Sequence, residues 1–141
     1  YLERKVQLSA VFDRLAKEAF LGLNQGQMLW WREIPLLDFG QVDPENGWKV
    51  YFTSRAERNL LKLPERVLRE LPQILVKLEH DPLEFKRLSG PYFEIHRVSF
   101  ASEMLKHHRV IYAVFSDKRA VAILIVGERK EIYEFVKGMA L

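Results

Sequence analysis

Two apolar runs near the C-terminal end constrain the fold of this chain most. The first spans Arg109–Ser116 and the second Ala120–Val126, and both are rich in the β-branched residues that favour strands. Only a short polar loop separates them, which predicts an antiparallel hairpin. Along the first run, successive side chains point to opposite faces, and the residues on both faces are mostly apolar. It is therefore predicted to be a central strand, buried on one side by helices and partly covered on the other.

The residues before this hairpin predict a strand and two helices. Lys49–Thr53 has strand composition, and Ser54 with Glu57 has the form of a capping box at the start of a short helix. Pro64 fits the first turn of a second helix, which Asp81 and Pro82 end. Pro72 lies inside this second helix and should kink or split it, because proline lacks the backbone donor.

A third strand, Tyr92–Phe100, and a closing helix, Glu131–Met139, complete the pattern. The predicted fold class is α+β. It has an N-terminal strand, a helical hairpin, an antiparallel sheet of three or more strands and a short C-terminal helix. We expect residues 48–141 to form this body as one domain.

Residues 1–47 form a predicted arm in front of the body. Leu2–Leu23 carries apolar residues at helical spacing, which indicates an amphipathic helix. Met28–Trp31 and Ile34–Leu37 follow, with too many large apolar side chains for a free linker. The arm should lie against its own body, as an antitoxin-like segment would, or against a second copy in a homo-oligomer.

Composition excludes several classes of protein. The chain of 141 residues has no cysteine, so it has no disulfide, no thiolate zinc site and no cysteine nucleophile. Its longest apolar runs fall far short of the roughly 20 residues that span a bilayer, and it lacks a signal-peptide pattern. We expect a soluble cytoplasmic protein with no membrane partner.

Charge is distributed unevenly along the chain. Residues 1–47 hold 5 Lys and Arg against 7 Asp and Glu, a net charge of −2, and residues 48–141 hold 17 against 12, a net charge of +5. A basic body suggests a polyanionic partner such as RNA, because contacts of Lys and Arg with phosphates release counterions. The alternative is a moderately basic surface with no such partner.

Three phrases carry a family resemblance: Lys86–Gly90, His108–Tyr112 and Val126–Tyr133. In this order and spacing they resemble the RelE/ParE toxin superfamily of bacterial and archaeal toxin–antitoxin systems, over about residues 48–141. The resemblance implies a RelE-like fold and a cognate antitoxin as partner. It also implies one of two activities, because one branch of the family cleaves mRNA in the ribosomal A site and the other poisons DNA gyrase.

The resemblance assigns roles to three residues. Arg109 matches the arginine that contacts the scissile phosphate, and Arg129 matches the arginine two residues after the glycine of the last strand. Tyr133 matches the terminal tyrosine of the ribonuclease branch, although its spacing from the glycine is about two residues shorter here. RelE-type enzymes carry lysines where this chain has Glu94 and His96.

Metal-independent RNA cleavage needs a base, an acid and cationic donors on the phosphoryl oxygens. Arg109 and Arg129 supply planar, permanently charged donors, and the imidazole of His96 can serve as base or acid near neutral pH. Glu94 is either the base or a partner that neutralises Arg109. The alternatives are a structural His96, a Tyr133 that packs the terminal helix, and arginines that pair with Glu94 or Glu128.

Other basic side chains are candidate contacts to RNA. They are Lys86, Arg87, Arg97, Lys106, His107, His108 and Lys130. No third ligand is placed near the two adjacent histidines, so neither a metal site nor a cofactor is expected.

Three functions remain open from the sequence. The first is an mRNA interferase, an endoribonuclease that inhibits translation by cleaving mRNA on the ribosome. The second is a ParE-like gyrase inhibitor, and the third a non-catalytic or self-inhibited RelE-like binding module.

Overall fold

The computed structural model describes residues 2–37, 47–88 and 92–140 of the chain. Within these ranges, four helices accompany one six-stranded sheet of order β1-β2-β6-β5-β4-β3. The strands are β1 (Leu29–Trp30), β2 (Lys49–Phe52), β3 (Lys86–Leu88), β4 (Glu94–Ser99), β5 (His108–Phe115) and β6 (Ala120–Glu128). The helices are α1 (Leu2–Asn24), α2 (Ser54–Leu60), α3 (Glu65–His80) and α4 (Arg129–Ala140). Neighbouring strands are antiparallel except β2 and β6, which are parallel.

Both faces of the sheet are covered by helices. On one face, here the α3 face, Val110 and Tyr112 of β5 pack in a core with α2 and α3. On the other, the α1–α4 face, Ile111 and Ala113 of the same strand pack in a core with α1 and α4. The prediction of an α+β fold with a central strand apolar on both faces is therefore confirmed.

The predicted cap of the first helix of the hairpin is wrong, and of the two effects expected of Pro72 the split does not occur. The side chain of Thr53, not Ser54, caps α2, because its Oγ1 accepts a hydrogen bond from the amide of Ala56 at 3.1 Å. Pro72 does not split α3, which continues from Glu65 to His80. Buried side chains on both sides of Pro72, such as Leu71 and Leu75, hold the two halves of the helix on the same core.

The two edge strands were not predicted. β3 pairs with β4, and β1 pairs with β2 inside the arm. The end of the Lys86–Gly90 phrase lies outside the described residues. Strands of two or three residues show no alternation of their own, so their pairing with a longer neighbour decides their structure.

The described part of the arm contacts both faces of the sheet and supplies its edge strand next to β2. Its helix α1 packs on the α1–α4 face, β1 extends the sheet, and Trp31 enters the core of the α3 face. Trp31 Nε1 donates a hydrogen bond to Glu79 Oε2 at 2.9 Å. Arg32 donates to both oxygens of the same carboxylate, at 2.9 and 2.6 Å.

Glu79 is the anchor of the arm. Its side chain is only 3% exposed, and its backbone carbonyl also accepts a hydrogen bond from the amide of Trp48 at 2.8 Å. A Cβ at position 47 would lie 2.7 Å from that carbonyl oxygen, which explains Gly47. The helix α3 is thus tied both to the arm and to the start of the body.

Among the helices of the described ranges, none combines the length and the apolarity that crossing a bilayer requires.

Candidate nucleic-acid interface

Arg109 occupies a fixed position near the start of β5. It pairs with Ser99 on one side and Gly127 on the other, and its guanidinium donates hydrogen bonds to the carbonyls of Lys106 and His108. Its pKa is lowered, first by burial and then by the charges of Arg97 and Arg129. Like charges therefore converge here, and an anion placed among them would relieve their repulsion.

The strand register explains this convergence. Arg97 pairs with Ile111, so it lies on the same face as Arg109, and Lys86 pairs directly with Arg97. Arg129 begins α4, where its amide donates to the carbonyl of His107 at 2.8 Å. We call these four residues, Lys86, Arg97, Arg109 and Arg129, the cationic row.

The cationic row has no carboxylate partner in the described part of the chain. In the ranges that the structure describes, none of its four side chains forms an ion pair. The expectation that Glu94 or Glu128 neutralises Arg109 is therefore not met. Four unpaired cations on one end of a sheet face form a surface suited to a polyanion.

The structure corrects the predicted place of His96. His96 pairs with Tyr112 and so belongs to the α3 face, whereas Arg109 belongs to the α1–α4 face. Its ring is 3% exposed, with Nδ1 2.8 Å from the carbonyl of Phe85 and Nε2 2.8 Å from Glu94 Oε2. Both ring nitrogens are thus occupied by protein groups, as expected of a structural histidine.

Glu94 shares the face of His96, and the two belong to a buried polar set. The ring of Tyr112 stacks on His96 with centroids 5.6 Å apart, and its hydroxyl donates to the carbonyl of Pro82 at 2.6 Å. Burial raises the pKa of the Tyr112 phenol, and the charges of Asp81 and Glu94 add to the effect. The set ties the sheet to the segment after α3.

An open groove of about 710 Å³ lies where β5 and β6 meet α4. Five predicted residues lie in its wall: His107, His108, Arg129, Lys130 and Tyr133. Four others were not singled out as site residues: Met104, Glu128, Glu134 and Lys137. Glu134 and Lys137 follow Lys130 at helical spacing, which is the signal that would have found them.

His108 has an environment that the sequence did not suggest. It was expected to contact RNA, but only 7% of it is exposed. Its Nε2 lies 3.9 Å from Glu128 Oε1, and its Nδ1 is buried with no hydrogen-bond partner among the described residues. The alternation of β5 was the available signal, because His108 has the parity of the inward residues Val110 and Tyr112.

Arg87 and Lys106 are the remaining predicted RNA contacts. Arg87 pairs with His96 and therefore belongs to the other face from Lys86, although its side chain is exposed. Lys106 is exposed and pairs with Glu103 at 3.1 Å. As for metal ligands, no three His, Asp or Glu side chains of the described ranges come together as a possible site.

Comparison with known proteins gives a likeness in fold. No family model matches the chain, and no curated protein matches it. Among solved structures, it is similar to a double arginine-to-alanine variant of Escherichia coli RelE in the free state, with 24% identity and a TM-score of 0.52. That match covers 67% of this chain and 99% of the other.

Two further solved structures are similar with lower TM-scores. One is the isolated E. coli RelE toxin, with 26% identity and a TM-score of 0.49. That match covers 67% of this chain and 99% of the toxin. The other is the toxin–antitoxin complex RelBE2 of Mycobacterium tuberculosis, with 25% identity, 59% and 99% coverage, and a TM-score of 0.47. From the free RelE variant we conclude that the chain contains a RelE-like fold.

Proposed function

We propose that this chain is the toxin of a toxin–antitoxin system and that it cleaves mRNA, on the ribosome. One observation carries the proposal: Arg97, Arg109 and Arg129 converge without a carboxylate partner among the described residues, and Arg129 also lies in the wall of an open groove of about 710 Å³. The RelE-like fold supports it.

The cationic row would act as the phosphate clamp. Arg109 is held by two backbone carbonyls, so its remaining guanidinium donors meet a phosphoryl oxygen without a further loss of side-chain freedom. Arg129 approaches from the end of the neighbouring strand. Donors fixed before the reaction stabilise the charge that grows on the phosphoryl oxygens as the 2′-oxygen attacks.

Tyr133 and the basic side chains of α4 would hold the RNA on either side of the scissile phosphate. Tyr133 lies in the wall of the groove, where a ring can stack on a base. Lys130 and Lys137, in the same wall, can contact backbone phosphates. Cleavage of this type needs no cofactor.

The partners implied are the ribosome in the cytoplasm and an antitoxin. An acidic antitoxin segment would find charge complementarity at the cationic row, and its binding would block access of RNA. We also keep the proposal that residues 1–47 act as an antitoxin-like segment or exchange between two copies.

A second candidate function is a gyrase inhibitor or other binding module on the same fold. The position of His96 and Glu94 favours it, because two of the five proposed catalytic side chains are absent from the cationic face. A protein that acts by contact alone needs no proton transfer in the groove.

The test compares cleavage by four proteins on programmed ribosomes, mapped by primer extension. Wild type should cut the mRNA, and Arg109→Ala and Arg129→Ala should each reduce the rate by 100-fold or more, on the order of the loss of one transition-state donor. Arg87→Ala is the matched control and should cut as wild type. Equal cutting by all four proteins contradicts the proposal, and inhibition of purified gyrase without cutting supports the second candidate.

A further inference from the structure

The groove contains the imidazole of His108, and the hydrogen bonding of this ring differs from that of His96. A histidine bonded at both ring nitrogens, like His96, has no free nitrogen to take up a substrate proton. His108 differs, since no hydrogen bond to a described residue engages either of its nitrogens. It lies in the wall of the groove together with Arg129 and Tyr133.

We propose that His108, with Glu128 beside it, is the group that exchanges protons with RNA in this groove. The inference rests on the proposed function and adds the base that the cationic row lacks. Arginine keeps its proton at physiological pH, so Arg109 and Arg129 cannot serve as the base. Imidazole can, because its pKa ordinarily lies near neutral pH.

The geometry assigns the reacting atom. Nδ1 is buried, whereas Nε2 points toward Glu128 Oε1 at 3.9 Å, a distance longer than a hydrogen bond. A hydroxyl group that approaches this gap can give its proton to Nε2. The carboxylate of Glu128, which is half exposed, then faces the imidazolium that forms.

The packing around His108 fixes its ring in the wall of the groove. Phe100 meets the ring nearly edge-on, with centroids 5.9 Å apart, and the carbonyl of His108 accepts from the amide of Phe100 at 3.3 Å. Besides Glu128, the charged or titratable groups in the wall of the groove are His107, Arg129, Lys130, Tyr133, Glu134 and Lys137. Arg109 adds a positive charge from the same strand.

The proposed step balances as follows. The 2′-hydroxyl gives its proton to His108 Nε2 while its oxygen forms a bond to phosphorus, and the bond between phosphorus and the 5′-oxygen breaks. The leaving 5′-oxygen takes a proton from water in the open groove. His108 then returns its proton to the hydroxide, which leaves a 2′,3′-cyclic phosphate, a 5′-hydroxyl end and the protein unchanged.

The first test is the pH dependence of single-turnover cleavage by the full chain on programmed ribosomes. The wild-type rate should rise through a single inflection, and His108→Asn should cut at least 100-fold more slowly and lose that inflection. Glu128→Gln should move the inflection to lower pH, because the imidazolium loses its carboxylate. His80→Asn, at an exposed position at the end of α3, is the matched control and should keep both rate and inflection.

A second measurement, made on the wild-type protein, distinguishes a catalytic His108 from a purely structural one. A 2′-O-methyl oligonucleotide, which cannot be cleaved, is added while the imidazole signals are titrated by NMR. The midpoint of His108 should rise when the phosphodiester binds, and that of His96 should stay. A midpoint of His108 that RNA does not move overturns the inference, whether or not His108→Asn folds.

Failure of the inference and failure of the proposed function differ in outcome. If Arg109→Ala abolishes cutting while His108→Asn keeps the wild-type rate and inflection, His108 is not the base and the ribonuclease proposal stands. If the wild type neither cuts RNA nor binds the oligonucleotide, both proposals are wrong.

Discussion

His96 and Arg109 project from opposite faces of the sheet, although Arg109 pairs with Ser99, only three residues beyond His96 on β4. The sheet itself therefore separates the imidazole that the sequence favoured from the guanidinium that it was expected to assist. The face of Arg109 carries Arg97 instead. His96 is therefore out of reach of a phosphate bound at Arg109.

Replacing His96 should lower stability and leave activity intact. The shorter side chain of His96→Asn cannot replace both hydrogen bonds of the imidazole, to Phe85 and Glu94. We therefore expect the free energy of unfolding to fall by about 1–3 kcal/mol. Chemical denaturation measures the loss. The cleavage rate per folded molecule should match wild type, and a large loss of rate in a folded variant would restore His96 to the site.

Lys86 and Arg87 provide a matched pair on one strand. Both are exposed, but only Lys86 shares the face of the cationic row. Lys86→Gln should reduce the slope of log affinity against log salt concentration by about 1, because one phosphate contact is lost. Arg87→Gln should leave the slope unchanged. Equal effects in a filter-binding titration with single-stranded RNA would show that RNA does not distinguish the two faces.

The buried pair of Arg32 and Glu79 should hold the arm in place. Glu79→Gln leaves the guanidinium of Arg32 buried without its carboxylate, and we expect a loss of about 3–5 kcal/mol in the free energy of unfolding. The control is Glu65→Gln, which removes an exposed pair with Arg69 and should cost less than about 1 kcal/mol. Similar losses in the two variants would contradict the anchor.

Asp13 should make the docking of α1 weaker at neutral pH. Burial raises the pKa of this carboxyl above 3.8, and a hydrogen bond from the backbone of Phe93 opposes the shift. The folded protein therefore holds the proton more tightly than the unfolded chain, and stability falls as pH rises through the folded pKa. Asp13→Asn should raise the melting temperature at pH 7, with no gain below pH 3.8.

The control for Asp13 is Asp117→Asn, at an exposed site in the β5–β6 connection. It should leave the pH dependence of melting unchanged. An Asp13→Asn protein that melts at the wild-type temperature at pH 7 would show that the buried carboxylate has no cost.

Deleting residues 1–46 tests the arm as a whole. The deletion removes Trp31 from one core and the whole of α1 from the other, so apolar surface should be exposed on both faces of the sheet. We expect a change in oligomeric state or in RNA cleavage, measured by light scattering and primer extension. An unchanged monomer with unchanged activity would end the idea that the arm matters to either.

The sequence predicted the sheet where strands were long enough to alternate. In β5 the alternation assigned Ile111 and Tyr112 to opposite faces, and the two cores confirm it. β1 and β3 are too short to show a period, and tertiary contacts around Pro72 override its local effect on α3. Local patterns thus gave the long elements, and long-range packing decided the others.

The site was predicted in part for a related reason. The parity of β4 was right, since Glu94 and His96 share one face. Alternation alone does not give the register between β4 and β5. A connection of eight residues leaves that register open. A shift of one residue in the register would move every side chain of β4 to the other face. The register places Arg97, not His96, on the face of Arg109.

A crystal structure of the chain with a hydrolysis-resistant 2′-O-methyl oligonucleotide tests the central claim most directly. The account predicts a phosphate within hydrogen-bond distance of the guanidinium groups of Arg109 and Arg129, with its 2′-oxygen toward His108. An oligonucleotide bound on the α3 face beside His96, with the cationic row empty, would contradict it.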